Sequence, residues 1–316
     1  MAARAESVTT TELVARSLAR SRRDYKGVAF HTLLLLSLLA ALAFLLVLLV
    51  DIAAGGLAVI TERGSDFLRA NVSSLPERAG VAQGIYGSLM IVVFVVVIAF
   101  PLGIGASVYL EEYAADTRFN RFINVNVRNL AGVPSVVYGL LGLSIFVKFF
   151  GEGANPWAFT GGRSIMSAGI TIAIVVLPIV IITSAEAIRA VPDSIREAGY
   201  GVGATRWEVI RSHVLPSAAP GILTGTVLSL SRAIGETAPL LMVGAVTGFF
   251  AISPDSFTER MQSPFTALPV LVYNWARQPS AGFRELTAAA IIVLLLLTLT
   301  ANAAAIILRN RYDRKW

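Results

Sequence analysis

Six long apolar stretches divide the chain, and each is about as long as a membrane-spanning helix. They lie near residues 28–50, 84–110, 129–150, 165–188, 218–250 and 286–308. A helix needs about 20 predominantly apolar residues to cross roughly 30 Å of hydrocarbon. The pattern therefore predicts an all-α integral membrane protein with six transmembrane helices.

The middle stretches contain prolines that would break a helix in water. They are Pro101, Pro134, Pro178 and Pro239. Inside a membrane bundle, neighbouring helices and hydroxyl side chains satisfy the carbonyls that a proline leaves without a donor. We therefore expect these segments to face protein or a transport pathway rather than lipid.

The predicted organisation has four parts. A basic tail covers residues 1–27, and a first transmembrane helix with an external loop covers 28–80. The main transmembrane domain covers 81–310 and includes a polar loop at 191–216, and a short tail covers 311–316. The first apolar run has 23 residues, against about 7–15 in a signal peptide, so we expect a retained helix.

The composition agrees with a membrane protein and excludes several kinds of site. Hydrophobic residues make up 55% of the chain and charged residues 15%, against about 25% charged in soluble domains. The mean hydropathy is +0.71. There is no cysteine, and the two histidines, His31 and His213, are far apart. These counts exclude disulfides, thiolate metal sites and a cysteine nucleophile, and we expect no metal site, no catalytic residue and no cofactor.

The basic residues are unevenly divided between the two sides of the predicted bundle. The chain has 26 Lys and Arg residues, and 17 of them lie on one side. This side has six in the N-terminal tail, three in the second–third loop, four in the fourth–fifth loop and four in the C-terminal tail. The opposite side holds seven. Because cytoplasmic loops are enriched in Lys and Arg, both termini are predicted to be cytoplasmic. The net charge of +6 then needs no nucleic-acid partner.

The polar loop 191–216 is too hydrophilic to span a membrane and carries two helix-start patterns. Ser194 with Glu197 and Thr205 with Glu208 have the capping-box spacing, in which a hydroxyl and a carboxylate pair with backbone amides at a helix start. The loop is therefore predicted to hold two short helices.

Glycines and a proline mark the ends of these two helices. Gly201 and Gly203 lie between the capping boxes, where a helix ends in a left-handed residue. Pro216 is expected to close the second helix. The loop thus predicts a helix, a glycine turn and a second helix.

Two charged residues lie within the fifth apolar stretch. Arg232 and Glu236 are four residues apart, which places them on one face of a helix. A charge in the bilayer costs roughly 2.5–3.5 kcal/mol on insertion scales, so both must face protein or water. Two alternatives stay open: a salt bridge that holds helices together, or part of a transport pathway, which we favour.

The loop 191–216 resembles the cytoplasmic loop of ABC-importer permeases. That family has Glu-Ala-Ala, three residues, Gly, nine residues, then an apolar residue, any residue and Leu-Pro. The matching positions here are Glu197, Ala198, Gly199, Gly203, Leu215 and Pro216. The chain departs from the pattern at Gly199, where Ala is usual, and at His213. The resemblance implies a coupling helix that contacts a separate ATPase subunit; alternatively, Glu197 only caps a helix.

The fifth stretch narrows the resemblance to phosphate-importer permeases of the PstA type. It reads SRAIGETAPLL at 231–241, and FPLGIGASVYLEEYA at 100–114 and LAGVPSVVYGLLGL at 130–143 are similar to the same family. The resemblance covers roughly residues 80–310. It implies the type I, MetI-like permease fold and places Arg232, Glu236 and Thr237 in the substrate pathway.

The same resemblance implies a set of partners in a bacterial cytoplasmic membrane. They are a second, homologous permease of the PstC type, two ATP-binding subunits of the PstB type and an extracytoplasmic phosphate-binding protein, besides membrane lipid. A P-loop needs a glycine-rich turn before its lysine, and none of Lys26, Lys148 and Lys315 follows a glycine. ATP hydrolysis is therefore expected on a partner, and the chain is not expected to be an enzyme.

The chemistry of the charged pair is compatible with an oxyanion. The fork of Arg232 matches phosphate oxygens, and Glu236 is an acceptor for the P–OH group of phosphate. Another oxyanion, sulfate or molybdate, is the first alternative. A proton-coupled secondary transporter that uses the pair as a relay is the second, but it leaves the loop unexplained.

Overall fold

A computed structural model describes residues 25–151, 156–246 and 256–312, which form helices and contain no strand. The predicted basic tail, apart from residues 25–27, and residues 313–316 lie outside the described residues. In chain order the helices are α1 (Tyr25–Arg69), α2 (Ala82–Tyr113), α3 (Arg118–Ala131), α4 (Ser135–Phe149), α5 (Ile165–Arg189), α6 (Asp193–Gly201), α7 (Arg206–Gly235), α8 (Ala238–Val243), α9 (Phe257–Met261), α10 (Leu268–Ala276) and α11 (Ala281–Tyr312).

Five of these helices are long and apolar enough to cross a membrane. They are α1, α2, α5, α7 and α11, and the bent pair formed by α3 and α4 gives a sixth span if it is counted as one. The prediction of an all-α protein with about six spans is confirmed for the part of the chain that the structure describes.

Helix α1 continues well beyond the apolar stretch that predicted it. Up to Asp51 its residues belong to one compact unit, and from Ile52 onward the chain forms a second unit. The sequence predicted an external loop after residue 50, and this is wrong for residues 51–69, which are helical with an interruption at Gly64. Within the second unit, Val59 and Phe67 are buried in an apolar cluster with Trp275, and this burial extends the helix.

Helix α5 is the central element of the second unit. It packs against α2, α3, α4, α7 and α8, and more than half of its apolar window is buried. Its first turn is capped by Ser164, whose hydroxyl accepts from the Ser167 amide at 3.2 Å. Pro178 lies inside this helix without ending it.

Helix α7 passes through Pro216, which the sequence expected to close a helix. A turn of π-helix, Ile210–Val214, precedes the proline, and the Leu215 amide donates to the carbonyl of Ile210, five residues earlier. A π turn also precedes Pro101 in α2. Such local adjustments pair the backbone groups that a proline would otherwise strand in a membrane helix, so the prediction of a helix end was wrong.

The predicted span 129–150 is two helices joined at a sharp bend. Helices α3 and α4 meet at 99°, because Pro134 starts α4 and disfavours helical backbone in the residue before it. The Tyr138 hydroxyl donates to the carbonyl of Leu130 at 2.9 Å and ties the two helices across the bend. No residue of α3 is fully buried.

The predicted span 218–250 is also broken. Helix α7 ends at Gly235, Glu236 has extended backbone (φ −70°, ψ 121°), and α8 begins at Ala238. Pro239 lies in the first turn of α8, where its missing N–H costs no intrahelical hydrogen bond. Residues 247–250 of this predicted span lie outside the described residues.

Candidate functional site

Arg232 and Glu236 form an ion pair at the end of α7. Nε of Arg232 lies 3.0 Å from Oε1 of Glu236, and 40% of the arginine side chain and 13% of the glutamate side chain are exposed. The sequence predicted that both residues lie on one helical face. The two side chains are in contact, but Glu236 lies just beyond the last residue of α7. The ion pair therefore joins a helical residue to a non-helical one.

The residues beside this pair connect three helices. Ser231 in α7 hydrogen-bonds Oδ1 of Asn302 in α11 at 2.8 Å. Thr237 is half-buried and occupies the position before α8, which packs against α4. The sequence analysis missed Asn302. The feature that could have identified it is its side-chain amide, which stands alone in the uncharged last apolar stretch.

An open groove of about 600 Å³ runs between α5 and α7. Its polar lining groups are Thr183, Glu186, Thr224 and Ser231. The groove reaches Ser231, the residue before Arg232 in the sequence, and Arg232 and Glu236 are not among its lining residues. The sequence analysis did not single out the first three of these residues. A few isolated polar residues in an apolar stretch do not show which face of the helix they share with another helix.

The second predicted site, the loop between α5 and α7, has one of its two predicted capping boxes. At α7, the Thr205 hydroxyl accepts from the Glu208 amide at 3.4 Å and the Glu208 carboxylate accepts from the Thr205 amide at 2.7 Å. The box predicted for Ser194 and Glu197 is wrong. Helix α6 begins before Ser194, after Pro192, and no side chain caps it.

The glycine turn between α6 and α7 depends on Gly203. Its φ is +83°, a left-handed conformation that residues with a Cβ rarely adopt. The Gly203 amide donates to the Tyr200 carbonyl at 2.9 Å, and the Ala204 amide donates to the Gly199 carbonyl at 3.2 Å. These bonds close the end of α6. Gly201, also predicted at this turn, is still helical.

Tight packing explains the glycine at position 199, where the family pattern has alanine. Gly199 is buried against the start of α7, and a Cβ added to it would lie 2.7 Å from Cγ2 of Val209. Real Cβ contacts are longer, so an alanine there would require Val209 to move. Glycine at position 199 therefore fits the space that Val209 leaves.

A small apolar core lies beneath the loop. Its fully buried members are Ile188, Val191, Val209, Val214, Ala218 and Ile222. Ile195 of α6, Ile104 of α2 and Leu215 of α7 pack against this core. The loop is thus held on the ends of three long helices by apolar contacts.

The opposite side of the loop presents an exposed apolar surface. Glu197 and Ala198 are exposed on α6, and beside them Tyr200, Val202 and Trp207 are 44%, 83% and 53% exposed. Exposed aromatic and aliphatic side chains grouped in this way are typical of protein–protein contact sites. We call these five residues the loop surface.

The structure keeps the two predicted groups of site residues apart. Gly199 and Gly203 lie in the loop, while Arg232, Glu236 and Thr237 lie at the far end of α7. Pro216 is exposed in α7 and precedes Arg232 by about 24 Å at 1.5 Å per residue. One helix therefore connects the loop surface to the ion pair.

Arginines from three elements meet the end of α2, a contact that the sequence analysis missed. The contacts are Arg189 with Glu111, Arg196 with Glu112, and Arg206 over the ring of Tyr113. The signal was an acidic pair directly after an apolar stretch, on the side where basic residues are concentrated.

Acidic and imidazole side chains do not gather into a metal site in the described ranges. No group of three or more His, Cys, Asp or Glu residues there is arranged to hold a metal ion. The pair Arg232 and Glu236 stays the candidate that the sequence predicted for direct contact with a ligand.

A family model matches most of the chain. It is described as the binding-protein-dependent transport system inner membrane component, and it matches residues 99–315. This range contains the groove, the loop surface and the ion pair.

Several relatives that match over most of their own length are named as phosphate permeases. The chain is 34% identical to "Phosphate transport system permease protein PstA 1" of Mycobacterium tuberculosis (strain CDC 1551 / Oshkosh), over 94% of this chain and 92% of the relative. It is also 34% identical to the PstA proteins of Mycobacterium leprae (89% of this chain, 88% of the relative) and Yersinia pestis (72% of each).

Solved structures of ABC importers share the fold. A chain of the MetNI methionine ABC transporter in an inward-facing conformation matches with a TM-score of 0.58 at 15% identity, covering 74% of this chain and 96% of that one. A bacterial ABC transporter that imports the acidic polysaccharide alginate matches with a TM-score of 0.56 at 17% identity, covering 92% and 100%. The chain therefore belongs to the family of binding-protein-dependent transport system inner membrane components, as a multi-pass permease with the MetI-like fold and PstA proteins among its relatives.

Proposed function

We propose that this chain is the transmembrane permease subunit of an ATP-driven phosphate importer. It forms the anion pathway with a second permease of the PstC type. Two ATPase subunits of the PstB type drive the import, and an extracytoplasmic phosphate-binding protein delivers the anion. The observation that carries this proposal is the loop surface. It lies beside the glycine turn and the capped start of α7, and α7 connects it to an ion pair in the predicted bilayer region.

The loop surface supports docking to an ATPase. Its apolar side chains are exposed while the underside of the loop is packed on α2, α5 and α7. A contact element that moves helices must itself be well fixed to them. The Thr205–Glu208 box and the Gly203 turn supply that local order.

The ion pair supports an anion pathway. The side chain of Arg232 is 40% exposed although it is paired, and a contact through Nε does not use all five N–H donors of the guanidinium. An incoming oxyanion therefore has donors to bind, with Glu236 holding the arginine between transport events. Because this subunit offers one such arginine, the second permease is expected to contribute further donors.

Phosphate is favoured over sulfate by chemistry and by the names of the relatives. Near neutral pH phosphate keeps a P–OH group, for which the Glu236 carboxylate is an acceptor, whereas sulfate has no such donor. Relatives that match 72–94% of this chain are named as phosphate transport permeases. Most discrimination between the anions is assigned to the binding protein.

The proposed orientation places the loop surface in the cytoplasm of a bacterium, together with both chain termini. Seventeen of the 26 basic residues lie on that side, as the distribution of Lys and Arg in membrane proteins requires. The loop is then on the side where ATP is available.

The test is transport by the assembled complex in liposomes. The chain, its second permease and the ATPase are reconstituted with ATP inside, and labelled phosphate with the binding protein is supplied outside. We expect ATP-dependent uptake that arsenate inhibits and that excess sulfate or molybdate leaves nearly unchanged. Stronger inhibition by sulfate or molybdate would assign the permease to another oxyanion. Uptake that persists without ATP but stops with an uncoupler would instead identify a proton-coupled transporter.

A further inference from the structure

The guanidinium of Arg196 joins three helices at the buried side of the loop. Arg196 belongs to α6, and its Nε and Nη2 lie 3.1 and 2.8 Å from Oε1 of Glu112 at the end of α2. Nη2 also donates to the carbonyl of Ile188 at 3.0 Å, and Nη1 donates to the carbonyl of Val191 at 2.7 Å. One side chain thus contacts α2, the last turn of α5 and the link between α5 and α6.

The burial of these groups makes the contact specific. The side chains of Arg196 and Glu112 are only 17% and 5% exposed. Removing either one would therefore leave the other as an uncompensated buried charge. A carboxylate at the C-terminal end of a helix opposes the helix dipole, and Glu112 therefore needs a cation nearby. The Ile188 carbonyl, in the last turn of α5, accepts from the Val191 amide at 3.2 Å and takes a second hydrogen bond from Arg196.

Two neighbouring pairs do not have this arrangement. Arg189 and Glu111 also connect α5 to α2, but the arginine is 56% exposed and no residue of α6 takes part. Asp193 contacts Arg196 at 3.2 Å from within α6, and it is 89% exposed. These pairs are matched controls for the joint formed by Arg196.

We infer that Arg196 and Glu112 are positioning residues that transmit movement of α6 to the spanning helices α2 and α5. This inference rests on the proposed function, in which the loop surface follows the ATPase. Apolar contacts keep α6 on the bundle, but they allow sliding. A buried guanidinium that donates to three acceptors outside α6, on Glu112, Ile188 and Val191, requires α2, α5 and α6 to move together.

The test measures phosphate transported per ATP hydrolysed in the reconstituted complex, after the amount of assembled complex is determined. In R196M we expect uptake to fall at least tenfold while basal ATP hydrolysis stays within twofold, so that the ratio collapses. E112Q keeps an acceptor without the charge and is expected to lose part of the ratio. R189M and D193N should keep the ratio within twofold of the unmodified complex.

Other results overturn the inference. If assembled R196M complexes keep the normal ratio, Arg196 only helps the chain to fold. If R196M does not assemble, R196K decides: lysine keeps the charge but cannot reach all three acceptors, so a normal ratio in R196K would refute the transmitting role. An unmodified complex that fails to import phosphate with ATP would refute the proposed function instead, before any variant is compared.

Discussion

The Glu236 carboxylate reaches back to Arg232 from outside the helix that carries the arginine. Their contact at 3.0 Å joins the last turn of α7 to an extended residue before α8. Non-helical backbone at membrane depth is found where it is buried in protein or lines a cavity. The pair therefore stands at a break in the span, beside the groove that α5 and α7 form.

Arg232 is expected to contact the anion directly. R232A should abolish uptake, and R232K should keep only part of it, because lysine retains the charge but loses the planar fork. The exchange R232E/E236R keeps both charges but moves the cation to the extended segment. It should assemble normally and stay inactive, as measured by labelled phosphate uptake. An exchange variant with normal uptake would show that the pair is only structural.

Gly203 is expected to be needed for its backbone conformation. Both Gly201 and Gly203 have open space where a Cβ would lie, but only Gly203 has positive φ. G203V should strain the turn and abolish coupling between ATP hydrolysis and uptake, while the chain still inserts in the membrane. G201V is the control and should retain most uptake. Equal loss in the two variants would indicate that the loop surface needs small side chains rather than a left-handed residue.

Gly199 and Val209 are expected to interact energetically. G199A overpacks a buried contact, which typically costs about 1–3 kcal/mol. V209A alone leaves a small void, but in the double variant the alanine at 199 occupies part of that space. A double-mutant cycle on the thermal stability of the purified protein should therefore show a double variant more stable than the sum of the singles predicts. Simple additivity would contradict the close packing.

The Thr205 hydroxyl is expected to stabilise the start of α7. T205A removes the cap at a cost of about 1 kcal/mol, which should raise local amide exchange in residues 206–209 about fivefold by hydrogen–deuterium exchange. S194A is the control, because Ser194 lies inside α6 and does not cap it. A comparable effect of S194A on α6 would support the capping box that the structure lacks.

The predicted orientation is testable with single cysteines, because the chain has none of its own. S7C should be protected from a membrane-impermeant thiol reagent in intact cells, and S256C should react. Permeabilised cells provide the control for S7C, since both cysteines should react there. The reverse labelling pattern in intact cells would contradict the assignment of both termini to the cytoplasm.

The residues predicted from sequence were those whose roles depend on local chemistry. The Thr205–Glu208 box and the positive φ of Gly203 follow from short-range hydrogen bonding, and the structure has both. The apolar runs gave the spans because bilayer thickness fixes their length. The functional roles of Arg232, Glu236 and Thr237 stay predictions.

What sequence reasoning missed depends on contacts between distant segments. Arg196 and Glu112 are 84 residues apart, and no sequence pattern around either residue predicts that they contact each other. The continuation of α1 past Asp51 depends on burial of Val59 and Phe67, which no local propensity supplies. The prediction that a helix ends at Pro216 was wrong because a π turn precedes the proline and satisfies the backbone groups around it. Such a turn cannot be recognised in the sequence.

Helix α7 runs from the glycine turn to the ion pair through one π turn, and this continuity lets it act as a lever. Between Arg206 and Arg232 it measures about 39 Å at 1.5 Å per residue. A tilt of about 5° around the loop end therefore displaces the arginine by about 3 Å, which is the length of a hydrogen bond. Because Glu236 directly follows the last residue of α7, it moves with Arg232, and a small rotation at the loop end is geometrically sufficient to shift the ion pair relative to α5 and α11, which pack against α7.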